Sequence, residues 1–230
     1  MNGLRVLVYV DGPHEGGHVQ DTLLSRDELP ALPGLIDRIL RQPRQVGYVC
    51  TNLKAVVQIH GKGPTFGLGA HASSRYSKAA MAAVVKAKNQ GFAAAVILID
   101  RDRKKDAQTI ESLRAGRDRM EGKGYPGCAV GMAVEAFDAW MIVDGNAIAV
   151  AGGNPGISHP NPESLDGEEG SGRHPKERAA QIFGSGIALG QKYATVASNV
   201  DLDLLARCCP KGFAPFAEDI KRRILPVLTS

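Results

Sequence analysis

The stretch Ala93 to Arg103 reads AAAVILIDRDR: seven apolar residues in succession, then an abrupt change to alternating acid and base. Seven residues are too few for a helix that would bury itself. The run has no polar alternation, so it reads as a β-strand covered on both faces, the kind found in parallel sheets. Leu4 to Val10 (LRVLVYV) is a second such run, and it passes at once into Asp11 and a loop holding Gly12, Pro13, Gly16 and Gly17. Both strands end on an acid.

Working outward from these strands, a helical stretch lies around Leu35 to Arg41 and apolar runs follow at Val46 to Cys50 and Lys54 to His60. After a glycine-rich loop, Gly61 to Ala70, good helix formers fill Ser77 to Gln90, and Gly91 closes that helix. A highly charged helical segment, Lys105 to Glu121, precedes a short strand, Gly127 to Ala133, and a helix from Glu135 to Val143. Strands alternating with helices predict an α/β, Rossmann-like, mostly parallel sheet flanked by helices, in a first domain of residues 1–150. Residues 151–172 are rich in Gly, Pro, Asn, Ser and acids and read as an exposed loop or linker. Helical patterns at Pro175 to Phe183, Gln191 to Ala197, Leu202 to Cys208 and Phe213 to Leu228 predict a helical C-terminal extension, residues 173–230, packed on the first domain.

The composition is that of an ordinary globular chain: 230 residues, 43% hydrophobic and 23% charged. No stretch approaches the roughly 20 apolar residues of a membrane span, and the run at Val6 to Val10 is too short for a signal-peptide core, so a cytoplasmic protein without a membrane partner is expected. Cys50, Cys128, Cys208 and Cys209 form no CxxC pair and read as buried or reduced thiols. A balance of 28 Lys plus Arg against 24 Asp plus Glu permits a polyanionic partner without requiring one.

In an open parallel sheet, polar residues at the carboxyl ends of the strands meet in one crevice, so Asp11 and Asp100 should face a common space. Asp102 is the second neighbour of Asp100, and on an extended segment the two point to one side, where they can share a hard cation. Oxygen-only ligation favours Mg²⁺ or Mn²⁺, as one or two ions, over zinc. Glu15 lies four residues after Asp11, and Asp106 is either a further ligand or an acid at a helix N-terminus. Glu135 and Asp138, three apart, would share one face of their helix; they are further ligands or simply first-turn acids. Arg101, Arg103, Lys104 and Lys105, with Arg114, Arg117 and Arg119 beyond, concentrate cation where a phosphate backbone would lie, although Glu111, Asp118 and Glu121 make a solvated mixed-charge face an equal reading. Trp140 reads as core. His14, His18, His60, His71, His159 and His174 are scattered, and GKGPTFGLG at Gly61 to Gly69 lacks the P-loop pattern.

VYVDGPHE followed by VILIDRD resembles the Toprim domain of primases, type IA and II topoisomerases and OLD-family nucleases, and the DG-x-x-E arrangement of Asp11 and Glu15 is closest to the OLD-like branch. EAFDAWMIVD (Glu135 to Asp144), HPKE ending at Glu177, and CCPKGFAPF near the C-terminus together resemble a family of stand-alone Toprim-like proteins, often encoded beside an AAA or ABC-type ATPase in bacterial defence loci. The resemblance implies a metal-dependent nuclease acting on DNA or RNA as the effector of that ATPase in anti-phage defence. In this role Asp100, Asp102 and Glu15 hold metal, Asp11 holds metal or serves as base, and Lys104 or Arg103 steadies phosphate. Toprim domains carry glutamate where this chain has Asp11, which is one methylene shorter and reaches less far as a base. Two other expectations follow: an inactive Toprim-fold module that binds a partner ATPase or nucleic acid, and a hydrolase of nucleotides or small phosphate esters. A homo-oligomer stays open.

Overall fold

A computed structural model of the chain describes residues 4–10, 23–24, 29–41, 46–53, 75–101, 107–165, 170–184 and 189–229. Its strands are β1 (Leu4–Val10), β2 (Val46–Asn52), β3 (Ala94–Asp100) and β4 (Gly127–Ala133), each seven residues long. They form one parallel sheet in the order β2-β1-β3-β4, with Val8 opposite Cys50 on one side and Val96 on the other. The class is α/β and Rossmann-like, as the two apolar runs predict. The run at 54–60 and the glycine-rich loop after it lie outside the described residues.

Alternation along each strand decides which helix covers which face. Val6, Val8, Val10, Tyr48, Cys50, Val96 and Leu98 point to one side, and α1 (Ala31–Leu40) packs there. Leu7, Tyr9, Val49, Ala95, Ile97 and Ile99 point to the other, under α2 (Arg75–Asn89) and α3 (Ala107–Asp118). The chain thus winds from β1 outward to β2 across one face, then back past β1 to β3 and β4 across the other. That reversal makes the gap between the ends of β1 and β3 a topological switch point, where open α/β sheets form their crevice.

Residues beyond β4 complete the first face. The short helices α4 (Asp138–Met141) and α5 (Gly145–Val150) are followed by α6 (Pro175–Phe183), α7 (Leu189–Asn199), α8 (Leu202–Cys208), α9 (Phe213–Arg223) and α10 (Leu225–Thr229). Their apolar side chains join the same cluster as Val6 and Val8, so one continuous core runs from the sheet to Leu228. Trp140 lies at its centre, its ring centroid 5.3 Å from Phe213 and 5.6 Å from Phe216. Arg38 of α1 donates to the carbonyls of Ala197 (2.7 Å) and Val200 (2.6 Å), satisfying acceptors at the C-terminal end of α7.

β4 ends the described sheet, and an open strand edge exposes unpaired backbone groups. α9 closes it. Asp219 accepts the Val130 N–H at 2.8 Å and pairs with Arg117 of α3 at 2.6 Å, joining the helix layers of the two faces around the edge strand. Both side chains of the pair are 5% exposed. Burial alone would raise the Asp219 pKa, but hydrogen bonds from Arg222 and Val130 and the charges of Arg117 and Arg223 outweigh it and hold the group below its ordinary 3.8. Gly131 lets α9 come close, since a Cβ there would overlap the Phe216 ring.

Removing one partner of a buried ion pair leaves the other charge unpaired, so Asp219→Asn is expected to cost about 3–5 kcal/mol at neutral pH by urea denaturation. The native pKa is depressed, so this contribution is complete above pH 4 and disappears as pH falls through the native value; the gap between wild type and variant should narrow with acidification. Gly116 supplies a second test. Ala for Gly within a helix ordinarily stabilises by about 1 kcal/mol, but a Cβ at 116 would overlap the Ser77 carbonyl of α2. Gly116→Ala should therefore destabilise by about 1–3 kcal/mol, and a rise in the denaturation midpoint would contradict the close α2–α3 approach.

Candidate functional site

Asp100 is the last residue of β3, beside Ala133 at the end of β4. Arg101 follows it, and its N–H donates to the Ala133 carbonyl at 2.8 Å, so the chain remains tied to β4 for one residue past the strand. Leaving β4, the chain turns sharply: Glu135 has φ +67°, a left-handed conformation that costs a side-chain-bearing residue about 1–2 kcal/mol. The turn brings the Phe137 N–H onto Asp100 Oδ1 at 2.9 Å. Asp100 is therefore fixed by the backbone of the β4–α4 connection as well as by its own strand.

The helix expected over Glu135 to Val143 is replaced by this turn and by the single-turn α4, which starts at Asp138. A left-handed residue cannot continue an α-helix, so the helix cannot include Glu135. Glu135 and Asp138 accordingly do not share a helix face. Glu135 lies 3.9 Å from an Arg101 guanidinium nitrogen whose side chain is 43% exposed, a loose pair of little energetic weight. Asp138 points to the C-terminal helices, where its Oδ1 accepts a hydrogen bond from the Tyr193 hydroxyl of α7.

Tyr193 is fully buried, and its ring meets Phe137 at 6.5 Å and Phe183 at 5.7 Å between centroids. Burial, the charge and hydrogen bond of Asp138, and the charge of Asp100 push its pKa well above the ordinary tyrosine value, so the hydroxyl keeps its proton. Both carboxylates thus bear on one phenol. On the other flank, Glu163 accepts the amide N–H groups of Lys211 (2.9 Å) and Gly212 (2.6 Å), drawing the loop before α9 against the end of β4. Gly212 lies so close that a Cβ there would stand 3.0 Å from the Met132 carbonyl oxygen.

Sequence reasoning singled out neither Tyr193 nor Glu163. Tyr193 lies on a buried helical stripe with Val196 and Ala197 and so reads as core; only the partner of its hydroxyl distinguishes it. Glu163 sits in a loop without periodicity, PNPES, that reads as exposed, yet Pro162, Glu163 and Leu165 are buried. No local pattern announces either contact.

Asp11, Glu15, Asp102, Arg103, Lys104, Lys105 and Asp106 lie outside the described residues. Part of the basic helix is engaged within the protein: Arg117 with Asp118 and Asp219, and Arg114 with Glu111 at 2.8 Å. His174 caps α6, its Nδ1 accepting from Lys176 N–H at 3.2 Å, and His159 Nδ1 accepts from Asn161 N–H. All four cysteines are free; burial pushes the Cys128 thiol up to about 12 and also raises Cys209, which keeps both as neutral thiols.

The described donors at this edge are carboxylates, a set that suits a hard cation such as Mg²⁺ or Mn²⁺. Among the described residues, no group of three or more His, Cys, Asp or Glu is placed to hold a metal ion. A full ligand set would need carboxylates from Asp11, Glu15, Asp102 or Asp106 in addition to Asp100. No helix of the described residues is long and apolar enough to cross a membrane. No protein-family model, curated protein or solved structure matches this chain.

Glycine adopts the left-handed region without the steric cost borne by Glu135, and the Arg101 contact it would remove is weak. Glu135→Gly should therefore leave the melting temperature unchanged or raise it, by up to about 1 kcal/mol in stability. A clear fall in melting temperature would show that the Glu135 side chain does structural work at the turn.

Proposed function

We propose that this protein is a metal-dependent phosphodiester hydrolase of Toprim type, cleaving DNA or RNA as the effector of a separately encoded AAA or ABC-type ATPase in anti-phage defence. The observation that carries the reading is the junction of β3 and β4 at the carboxyl edge of a doubly wound sheet. Asp100 ends β3 there, bonded to the Phe137 N–H, with Arg101 next in the chain and Glu135 and Asp138 in the same turn as Phe137. β1 runs parallel to β3 as its neighbour, and Asp11 follows β1 in sequence, as Asp102 follows Asp100. This edge is where open α/β sheets bind ligands.

In this reading Asp100, with Asp102, Glu15 and Asp11, would hold one or two Mg²⁺ or Mn²⁺ ions. Such ions stabilise the charge that develops on the oxygens of a phosphodiester undergoing displacement. The chain's own groups do the rest. The Phe137 N–H, donating to Asp100 Oδ1, holds that carboxylate in place. Arg101, only loosely held by Glu135 and partly exposed, offers a guanidinium to a phosphate oxygen. Lys104 and Arg103 are expected to steady the same backbone. Asp11 or Glu15 is expected to take the proton of the attacking water. The link to an ATPase rests on the resemblance of Glu135 to Asp144, HPKE and CCPKGFAPF alone.

Incubation with plasmid, single-stranded DNA and tRNA in Mg²⁺, Mn²⁺ or EDTA tests the proposal. Asp100→Asn suits it, because an amide oxygen can still accept from Phe137 N–H while the charge is lost. Cleavage that needs metal and falls by about 10²-fold or more in Asp100→Asn and Asp102→Ala is the expected result. Polymers left intact in every condition, with hydrolysis of nucleotides or small phosphate esters instead, would redirect the activity to small substrates. Intact substrates of all kinds would overturn the hydrolase reading of the protein acting alone and favour a binding module.

A further inference from the structure

His159-Pro160-Asn161 and His174-Pro175-Lys176 are two copies of one short pattern, and the structure closes both in the same way. Proline has no N–H and favours an extended conformation in the residue before it, so the imidazole meets the N–H of the second residue on. Asn161 N–H donates to His159 Nδ1 at 3.1 Å, and Lys176 N–H donates to His174 Nδ1 at 3.2 Å. His159 is also pinned through its own N–H to the Ile142 carbonyl that follows α4 (2.8 Å), and His174 is the N-cap of α6. Both turns lie in the connection between α5 and α6, whose Asn154 N–H returns to the Ile182 carbonyl of α6 at 3.0 Å. Both histidines are half-buried, so solvent protons reach them.

An imidazole nitrogen accepts a hydrogen bond only while it is unprotonated. Protonation at Nδ1 turns the acceptor into a donor facing another N–H, and at His174 it also sets positive charge against the N-terminal end of a helix dipole. We propose that these two turns form an acid-released latch on the α5–α6 connection, closed while both imidazoles are neutral and opened as pH falls through the histidine range of roughly 8 to 5. Among the described residues, the carboxylates of the neighbouring elements are committed elsewhere: Asp138 to Tyr193, Asp144 to the N–H groups of Asn146, Ala147 and Asp201, Glu163 to those of Lys211 and Gly212, and Glu177 to that of Gly170. The cations Arg173, Lys176 and Arg178 flank His174 in the chain and oppose a charged ring there, while Asp166, Glu168 and Glu169 lie outside the described residues. Burial raises the Glu163 carboxyl above its ordinary 4.5, so its own protonation favours the folded form as pH falls and works against release. Neither histidine belongs to the proposed hydrolytic site, so the latch is independent of that activity.

Melting temperatures of the full chain are compared at about pH 8 and about pH 5.5 for wild type, His159→Asn, His174→Asn and the double variant, with deuterium uptake of peptides spanning 159–161 and 174–176 corrected for the intrinsic exchange rate at each pH. Asparagine offers a side-chain oxygen to the same N–H, is a favoured helix cap, and does not titrate. The other histidines and Glu163 are common to wild type and variants, so their contributions cancel in the comparison. The expected result is that acidification lowers the wild-type melting temperature by about 2–6 °C more than that of the double variant, each single variant recovering part of the difference. Uptake at the two turns should rise on acidification in wild type and stay level in the double variant. Melting temperatures that fall in parallel overturn the latch. So does uptake at the two turns that changes no more in wild type than in the double variant, since any difference in melting would then arise elsewhere in the fold.

Discussion

Side chains from Val6 to Val10 and from Ala94 to Ile99 are enclosed on both faces of the sheet, and a strand so enclosed can present polar groups only at its ends. Enclosure on both faces requires a helical layer on each side, which an antiparallel hairpin cannot supply and parallel strands with helical crossovers can. The winding reverses between β1 and β3, and Asp100 ends β3 at the carboxyl edge there. Fold and candidate site are two consequences of one burial pattern.

The helices that follow β4 are needed to satisfy the same constraint. α1 alone leaves much of its face uncovered, and the apolar sides of α4, α5 and α7 to α10 complete the cover in a single cluster with the sheet. α9 reaches farthest, because Asp219 takes the Val130 N–H on the free side of β4 and the Arg117 guanidinium from the opposite layer. A buried charge pair of this kind is weak evidence for stability in itself. What it does is fix where α9 lies relative to the strand edge.

The candidate site draws on both parts of the chain. Asp100 is set by β3 and by the turn after β4, Asp138 by a phenol from α7, and the loop before α9 by the buried carboxylate of Glu163. The left-handed Glu135 belongs to this assembly. Without the sharp turn the Phe137 N–H would not reach Asp100, so local strain is tolerated where it orders an acid.

The sequence by itself determined the parallel α/β class, the positions of the four described strands to within a residue or two, and the acids that follow them, because unbroken apolar runs are a local signal with one physical meaning. It also marked Trp140 as core and the C-terminal stretch as helical. It did not give the turn at Glu135. Residues 135 to 143 carry acids and apolar residues at helical spacing, but Glu135 takes a left-handed conformation and only the single turn from Asp138 to Met141 is helical. Nor could it reveal Tyr193 or Glu163 as parts of the site, since each meets a partner 48 or more positions away that no periodicity encodes. Local patterning fixes which strands exist and where they end; which buried polar groups find one another is decided only when the layers close, because every buried donor and acceptor must then be satisfied from whatever the tertiary structure brings near.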